Sequence, residues 1–194
     1  RLRQVPLVHS SGTRNMKAMA QSVSRVAVVY LVWQGAGVSA FRRFLESYMG
    51  FVAGAPHDLI LGVKGFQGPI PGDYAQHLKD VKCALISVPD NGKDIAAYHF
   101  ILEQVAADYE DVLLLNTSSV ILAPKWLRHF QAARGPARSV VVGATGSFEP
   151  IPTSPEFPNP HLRTNALFAD IAFLRSLDWG DVLDGAQFEA GPRS

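Results

Sequence analysis

The sequence predicts an α/β protein with a mostly parallel sheet between layers of helix. Three observations carry this. Four strand-sized apolar runs, at 26–33, 58–63, 84–88 and 112–115, are continuous rather than alternating, as strands covered on both faces are. Segments with helical spacing lie between them. Glycine-rich or polar turns follow the strand ends, where open α/β sheets bind ligands. Strands alternating with helices imply βαβ units.

In chain order, residues 1–24 are polar and aperiodic and read as a disordered or tag-like leader, so the domain is expected over 25–194. Val26–Trp33 is β-branched and aromatic throughout, as a central strand requires, and Gln34-Gly35-Ala36-Gly37 turns the chain. Phe41, Phe44, Leu45 and Tyr48 mark an amphipathic helix that Gly54-Ala55-Pro56 breaks. Residues 58–63 form the second strand. Residues 65–72 hold three glycines and two prolines and read as a loop, with a short helix over 74–79. The third strand is 84–88. Ile95, Tyr98, Ile101, Leu102 and Val105 share a helical face, with Asn91 or Asp94 near its cap. After the fourth strand, 112–115, Ala123-Pro124 begins a helix with proline in its first turn and Trp126, Leu127 and Phe130 for packing. Residues 139–143 read as a fifth strand, 146–160 (with five prolines) as an extended loop, and 167–173 as a last strand before a turn of helix to Trp179. Gly191-Pro192-Arg193-Ser194 stops without a closing element, which predicts an incomplete C-terminal end.

Composition narrows the function classes. A chain of 194 residues supports one domain with a real core. A net charge of +1, with no Lys/Arg run, argues against a nucleic-acid partner. The single cysteine, Cys83, excludes an internal disulfide and a cysteine-based zinc site. No apolar run approaches the roughly 20 residues of a membrane span, and a cytoplasmic protein, at most peripheral to the membrane, is the expectation.

Five features could carry chemistry. Gly35-Ala36-Gly37-Val38-Ser39-Ala40 has the glycine spacing of a dinucleotide turn, but the second strand ends in Lys64, with no acidic residue to hold ribose hydroxyls, so a tight strand-to-helix turn is the better reading. The 90–94 turn sets Asp90, Asn91, Lys93 and Asp94 together. They either cap a helix or bind a base, ribose and phosphate. Asn116, Thr117 and Ser118 follow the fourth strand, where a carboxylate pair could hold a divalent ion. None of the three is charged, so no metal site is assigned to them. His161, Arg163 and Asn165 alternate, share a face if extended, and suit a phosphate or sugar hydroxyls. Glu189 is either an exposed carboxylate or a general base.

The element order, with Pro89-Asp90-Asn91-Gly92-Lys93-Asp94-Ile95, Leu115-Asn116-Thr117-Ser118-Ser119-Val120 and Pro160-His161-Leu162-Arg163-Thr164-Asn165-Ala166, resembles GT-A-type nucleotide-sugar glycosyltransferases. It is also similar to uncharacterised glycosyltransferase-like proteins near rhamnan and capsule polysaccharide synthesis enzymes. The resemblance covers about residues 25–194. It implies a Rossmann-like sheet and a nucleotide-sugar donor, with Asp90 and Asp94 near base and ribose. It implies hexosyl or rhamnosyl transfer to a polysaccharide or lipid-linked acceptor. Asn116–Ser118 occupy the family's metal-binding Asp-x-Asp position. That departure implies metal-independent transfer, Mg2+ or Mn2+ held mainly by the donor diphosphate, or lost catalysis. Glu189 falls where the family places its base, with His161 and Arg163 as candidates to stabilise the departing diphosphate. The alternatives are an inactive GT-A-like binding or assembly module and a nicotinamide-dependent oxidoreductase.

Overall fold

The computed structural model describes residues 25–150 and 156–179. The expected leader, Glu189 and the C-terminal stretch lie outside them. Strand β1 (Val26–Trp33) leads through a 3-10 turn, Gln34–Ala36, into helix α1 (Gly37–Gly50). Then come β2 (Asp58–Lys64), α2 (Gly72–Ala75), a 3-10 turn at Gln76–Leu78, β3 (Cys83–Val88), α3 (Asp94–Val105) and β4 (Asp111–Leu115). The chain continues through α4 (Trp126–Arg134), the short strands β5 (Val142–Gly143), β6 (Gly146–Ser147) and β7 (His161–Leu162), then β8 (Ala166–Asp170) and α5 (Ile171–Ser176).

The main sheet has six strands in the order β3-β2-β1-β4-β8-β5. β3, β2, β1 and β4 are parallel, while β8 runs antiparallel to both β4 and β5. The mostly parallel α/β expectation therefore holds. β6 and β7 pair separately.

β1 explains the layering. Val26 through Val32 are all buried, so the strand is covered on both faces. Val26, Val28, Tyr30 and Val32 pack with Phe41, Phe44 and Leu45 of α1 and with Trp126 and Leu127 of α4. Ala27, Val29 and Leu31 pack with Tyr98, Ile101 and Leu102 of α3 and with Ile171 and Leu174 of α5. The two-residue alternation of a strand thus splits one apolar run between two helical layers. Gly62 of β2 is required by this packing, since a Cβ there would stand 2.5 Å from Ile101 Cδ1.

Several expectations are corrected. Neither Asn91 nor Asp94 caps α3. Lys93 holds the cap position with no side-chain hydrogen bond to the helix amides, and Asp94 is the first helical residue, where its charge still meets the helix dipole. Pro124 does not enter α4. Lys125 adopts a left-handed conformation (φ 61°), and the helix begins at Trp126. The reason is tertiary: Lys125 N donates to Val52 O at 2.6 Å and Leu127 N to Ala53 O at 3.1 Å, so the carbonyls after α1 fix where α4 starts. The fifth strand shrinks to Val142–Gly143. The last strand stops at Asp170, whose carboxylate accepts from Phe173 N at 2.9 Å and caps α5. Part of the proline-rich loop pairs as β6 with β7, and residues 151–155 lie outside the description.

The sheet end opposite the β1 C-terminus is closed by charge. Asp111 is buried and takes a two-pronged contact from Arg134, one arm at 3.0 Å, while Arg138 bridges to Asp170 at 3.0 Å. Arg134 also lies over the Phe168 ring, 5.2 Å from its centre. Removing one partner of a buried pair strands the other charge. Arg134→Met should therefore cost about 3 kcal/mol or more in denaturant unfolding. Arg138→Met, at a half-exposed site, should cost at most about 1 kcal/mol.

Two tyrosines give the core a pH limit. Burial pushes the phenols of Tyr30 and Tyr98 above the ordinary value of 10.0. The folded state favours the neutral phenol, so the stability this contributes is fully present below about pH 10 and is lost as pH rises toward the folded-state values. Their phenolate absorbance should stay silent past pH ~10 and emerge only with unfolding. Tyr30→Phe and Tyr98→Phe should each remove one late-titrating group, as ultraviolet titration would show.

Candidate functional site

Strand order puts the site in place. From β1 the chain builds outward to β2 and β3, then returns through α3 to β4 on the other side of β1. Such a reversal leaves a crevice beyond the strand C-termini. A cavity of about 580 Å3 opens there, lined by Leu31 and Trp33 of β1, Lys64 of β2, residues 90, 92 and 93 between β3 and α3, residues 94–96 of the first turn of α3, Thr117 beyond β4, and Thr164. The volume suits a small-molecule ligand, and the lining joins apolar walls to a few convergent polar groups.

Lys64 ends β2 with its side chain buried. Its ammonium donates to Gly92 O and stands 3.4 Å from Asp90 Oδ1. The next residue, Gly65, has φ 82°, and a Cβ there would lie 3.0 Å from Asp90 Oδ2 and 3.3 Å from the Trp33 indole. Glycine is needed at this point both for its backbone and for the room it leaves. Lys64 and Lys93 set two positive charges against Asp90 and Asp94 in the lining.

The opposite rim is hydrogen-bonded into one piece. Asn116 Nδ2 donates to Asp94 Oδ2 at 3.2 Å, tying the β4 tip to the start of α3. Asn116 Oδ1 accepts from Ser118 N and Ser119 Oγ, both at 3.1 Å. The single Ser119 hydroxyl proton is shared between that oxygen and Asn165 O, and Thr145 Oγ1 donates to Asn165 Oδ1 at 2.9 Å. Two core phenols reach this rim, Tyr30 to Thr117 O at 2.9 Å and Tyr98 to Thr164 O at 3.0 Å.

The structure therefore brings together Asp90, Lys93, Asp94 and Thr117 at the cavity, with Asn116 one hydrogen bond behind and Asn165 one further, through Asn116 N. Asn91 and Ser118 do not line it. Asn91 faces a smaller groove of about 320 Å3 with Pro89, His99 and Glu103. His161 and Arg163 also lie off the lining. Strand pairing ends at Leu162, which separates the alternating trio. Arg163 meets Glu149 Oε2 at 2.5 Å and Ser147 Oγ at 3.3 Å, and His161 Nδ1 contacts Asn159 O at 2.8 Å. The Gly35-Ala36-Gly37 turn does not border the cavity.

Lys64, Trp33, Leu31 and Thr164 are site residues that the motif reading passed over. A positional signal existed for two of them. Trp33 and Lys64 end β1 and β2 at the edge where such sheets bind ligands.

The tip residues do not fit a protein-held divalent ion. Hard cations take carboxylate and other oxygens, whereas the side-chain carbonyl oxygen of Asn116 already accepts from Ser118 N and shares the Ser119 hydroxyl proton. No group of three or more His, Cys, Asp or Glu residues suited to an ion occurs among the described residues. No described helix is long and apolar enough to cross a membrane.

No family model matches the chain, and no curated protein matches it. Solved structures do. 4-Diphosphocytidyl-2C-methyl-D-erythritol synthase from Anaerococcus prevotii aligns with a TM-score of 0.54 at 11% identity, over 79% of this chain and 74% of that one. The mannosyltransferase PcManGT from Pyrobaculum calidifontis, solved with GDP-Man and Mn2+, aligns with a TM-score of 0.52 at 13% identity, over 75% of this chain. The chain spans less than half of that mannosyltransferase, 44% of its length. At these identities the likeness concerns the fold, which is that of GT-A-like nucleotide-sugar transferases.

Proposed function

We propose that this protein binds a nucleotide-sugar in the 580 Å3 cavity and transfers its sugar to a polysaccharide or lipid-linked acceptor. The observation that carries the reading is the cavity's position. It lies at the strand-order reversal of a fold shared with a mannosyltransferase solved with GDP-Man, and two lysines and two aspartates line it. Asp90 and Asp94 suit ribose hydroxyls and the donor edge of a base, since ionised carboxylates accept only. Lys93 supplies positive charge for a phosphate, and Thr117 and Thr164 offer hydroxyls. Asn116 and Asn165 act from behind by holding the rim, while Asn91 and Ser118 would serve at its margin.

Transfer also needs a base for the acceptor hydroxyl and charge for the departing diphosphate. Glu189 is our candidate for the base. His161 and Arg163 are candidates for the second role, with Arg163 exchanging Glu149 for the donor. Any Mg2+ or Mn2+ would be held mainly by the donor diphosphate, and no step here depends on one. The resemblance of the 89–95, 115–120 and 160–166 segments to proteins near rhamnan and capsule synthesis is what suggests a glycan product. One observation favours a second reading, a binding or assembly module without turnover. The side chain of Asn116 at the β4 tip is engaged in local contacts, with Asp94, Ser118 N and Ser119 Oγ.

UDP, GDP or dTDP should raise the melting temperature, as a ligand of the folded state alone must, and NAD should not. The shift should survive EDTA, given the uncharged tip. Calorimetry finding tight NAD and three silent diphosphates would reverse the ranking, and a shift abolished by EDTA would place an ion in the site.

Arg163→Ala should lower turnover more than stability. Loss of one preorganised donor to the leaving group would cost about 3 kcal/mol of transition-state stabilisation. A purely surface role would change stability by no more than about 0.5 kcal/mol and leave activity intact. Steady-state kinetics beside denaturant unfolding separates these outcomes. Normal turnover in the variant removes Arg163 from the site.

A further inference from the structure

We propose that Lys64 is a positioning residue for the donor cavity: its ammonium pins the turn between β3 and α3, and so fixes Asp90 on the cavity wall. The proposal rests on the nucleotide-sugar reading of that cavity. Lys64 is one of very few buried polar residues in the described chain, and its partners are not on its own strand or an adjacent helix face. They are Gly92 O and Asp90 Oδ1, 28 residues away for the first, both in the connection that lines the cavity.

A buried ammonium needs partners, because desolvation without them is costly. Here one partner is a backbone carbonyl and the other a half-exposed carboxylate. The carbonyl contact fixes the backbone at Gly92, where a Cβ would stand 2.7 Å from Ala96. The carboxylate contact fixes Asp90 Oδ1, while the missing Cβ of Gly65 leaves room for Oδ2. Two strand ends are therefore coupled through one side chain, the β2 tip carrying Lys64 and the turn after β3 carrying Asp90, and Trp33 of β1 stands beside the adjacent Gly65.

The test uses Lys64→Met, Lys64→Arg, Asp90→Asn and the Lys64→Met/Asp90→Asn double variant. UDP, GDP and dTDP binding is followed by calorimetry, and amide exchange over 90–96 is followed without nucleotide. Lys64→Met should weaken binding about tenfold, the cost of one charged hydrogen bond, and raise exchange across the turn. Lys64→Arg, which keeps charge and donors, should recover most of the affinity. If Lys64 acts through Asp90, the double variant should bind no more weakly than the weaker single one, a non-additivity that general destabilisation would not produce. Asp90→Asn replaces a half-exposed side chain and keeps the test open if Lys64→Met does not fold: it too must weaken binding and loosen the turn. Wild-type binding with unchanged affinity in Asp90→Asn and Lys64→Met, or additive losses in the double variant, overturns the role of Lys64 alone. A wild-type protein silent to all three diphosphates overturns the donor reading and the positioning role with it.

Discussion

The seven buried residues from Val26 to Val32 are the constraint from which the architecture follows. A strand buried on both faces must have a helical layer above and below and a neighbour on each side. The chain supplies the first neighbour directly, through α1 to β2, and the second only by returning from β3 through α3 to β4. That return carries the first turn of α3 past the C-terminal ends of β2 and β1. The crevice and the polar turn beside it are therefore products of the same crossover, and the cavity needs no separate device to form.

The two ends of the sheet answer burial differently. At the N-terminal end of β4, Asp111 is neutralised by Arg134 within the protein, and Arg138 adds contacts to Asp170 and Glu110. That end is closed by charge, with Arg134 Nε left without a hydrogen-bond partner. At the C-terminal ends the polar groups are satisfied in a ring around the opening, by Tyr30 to Thr117 O, Tyr98 to Thr164 O and Asn116 to Asp94. Core tyrosines thus stabilise the rim through buried hydroxyls while their rings serve the apolar layers, and the rim stays preorganised around solvent that a ligand could replace.

Local pattern determined the parallel half of the fold. Continuous apolar runs and the spacing of Phe41, Phe44, Leu45 and Tyr48 were enough to place β1 to β4 and α1, because burial on two faces leaves a mark in the residues themselves. What pattern missed depended on distant partners. The start of α4 is set by carbonyls of Val52 and Ala53, and the end of β8 by the capping of Phe173 N by Asp170. Asp94 looked like a cap because its residue type suits one. Its carboxylate is instead accepting from Asn116, 22 positions on. At the site, the polar clusters at 90–94 and 116–118 were legible as runs. Lys64 and Trp33 were not, since each is a single residue at the end of an apolar strand, and only the sheet shows what they face.

The charge arrangement of the cavity has a consequence for any anionic ligand. Lys64 and Lys93 face Asp90 and Asp94, so by formal count the lining is neutral before a ligand arrives. A diphosphate entering a neutral, partly apolar cavity loses hydration and gains only what local geometry provides, because opposing charges at similar distance cancel. Favourable binding then depends on separation. The aspartates must sit toward the hydroxyl-bearing end of the ligand and the positive groups toward its phosphates. The contact between Lys64 and Asp90 pairs these two charges on the β2 side of the opening, and the bond from Asn116 holds Asp94 toward β4. With both carboxylates held by neighbours, the space between them is left to the ligand, and the polarity of the site is set by restraints on its acids rather than by an excess of bases.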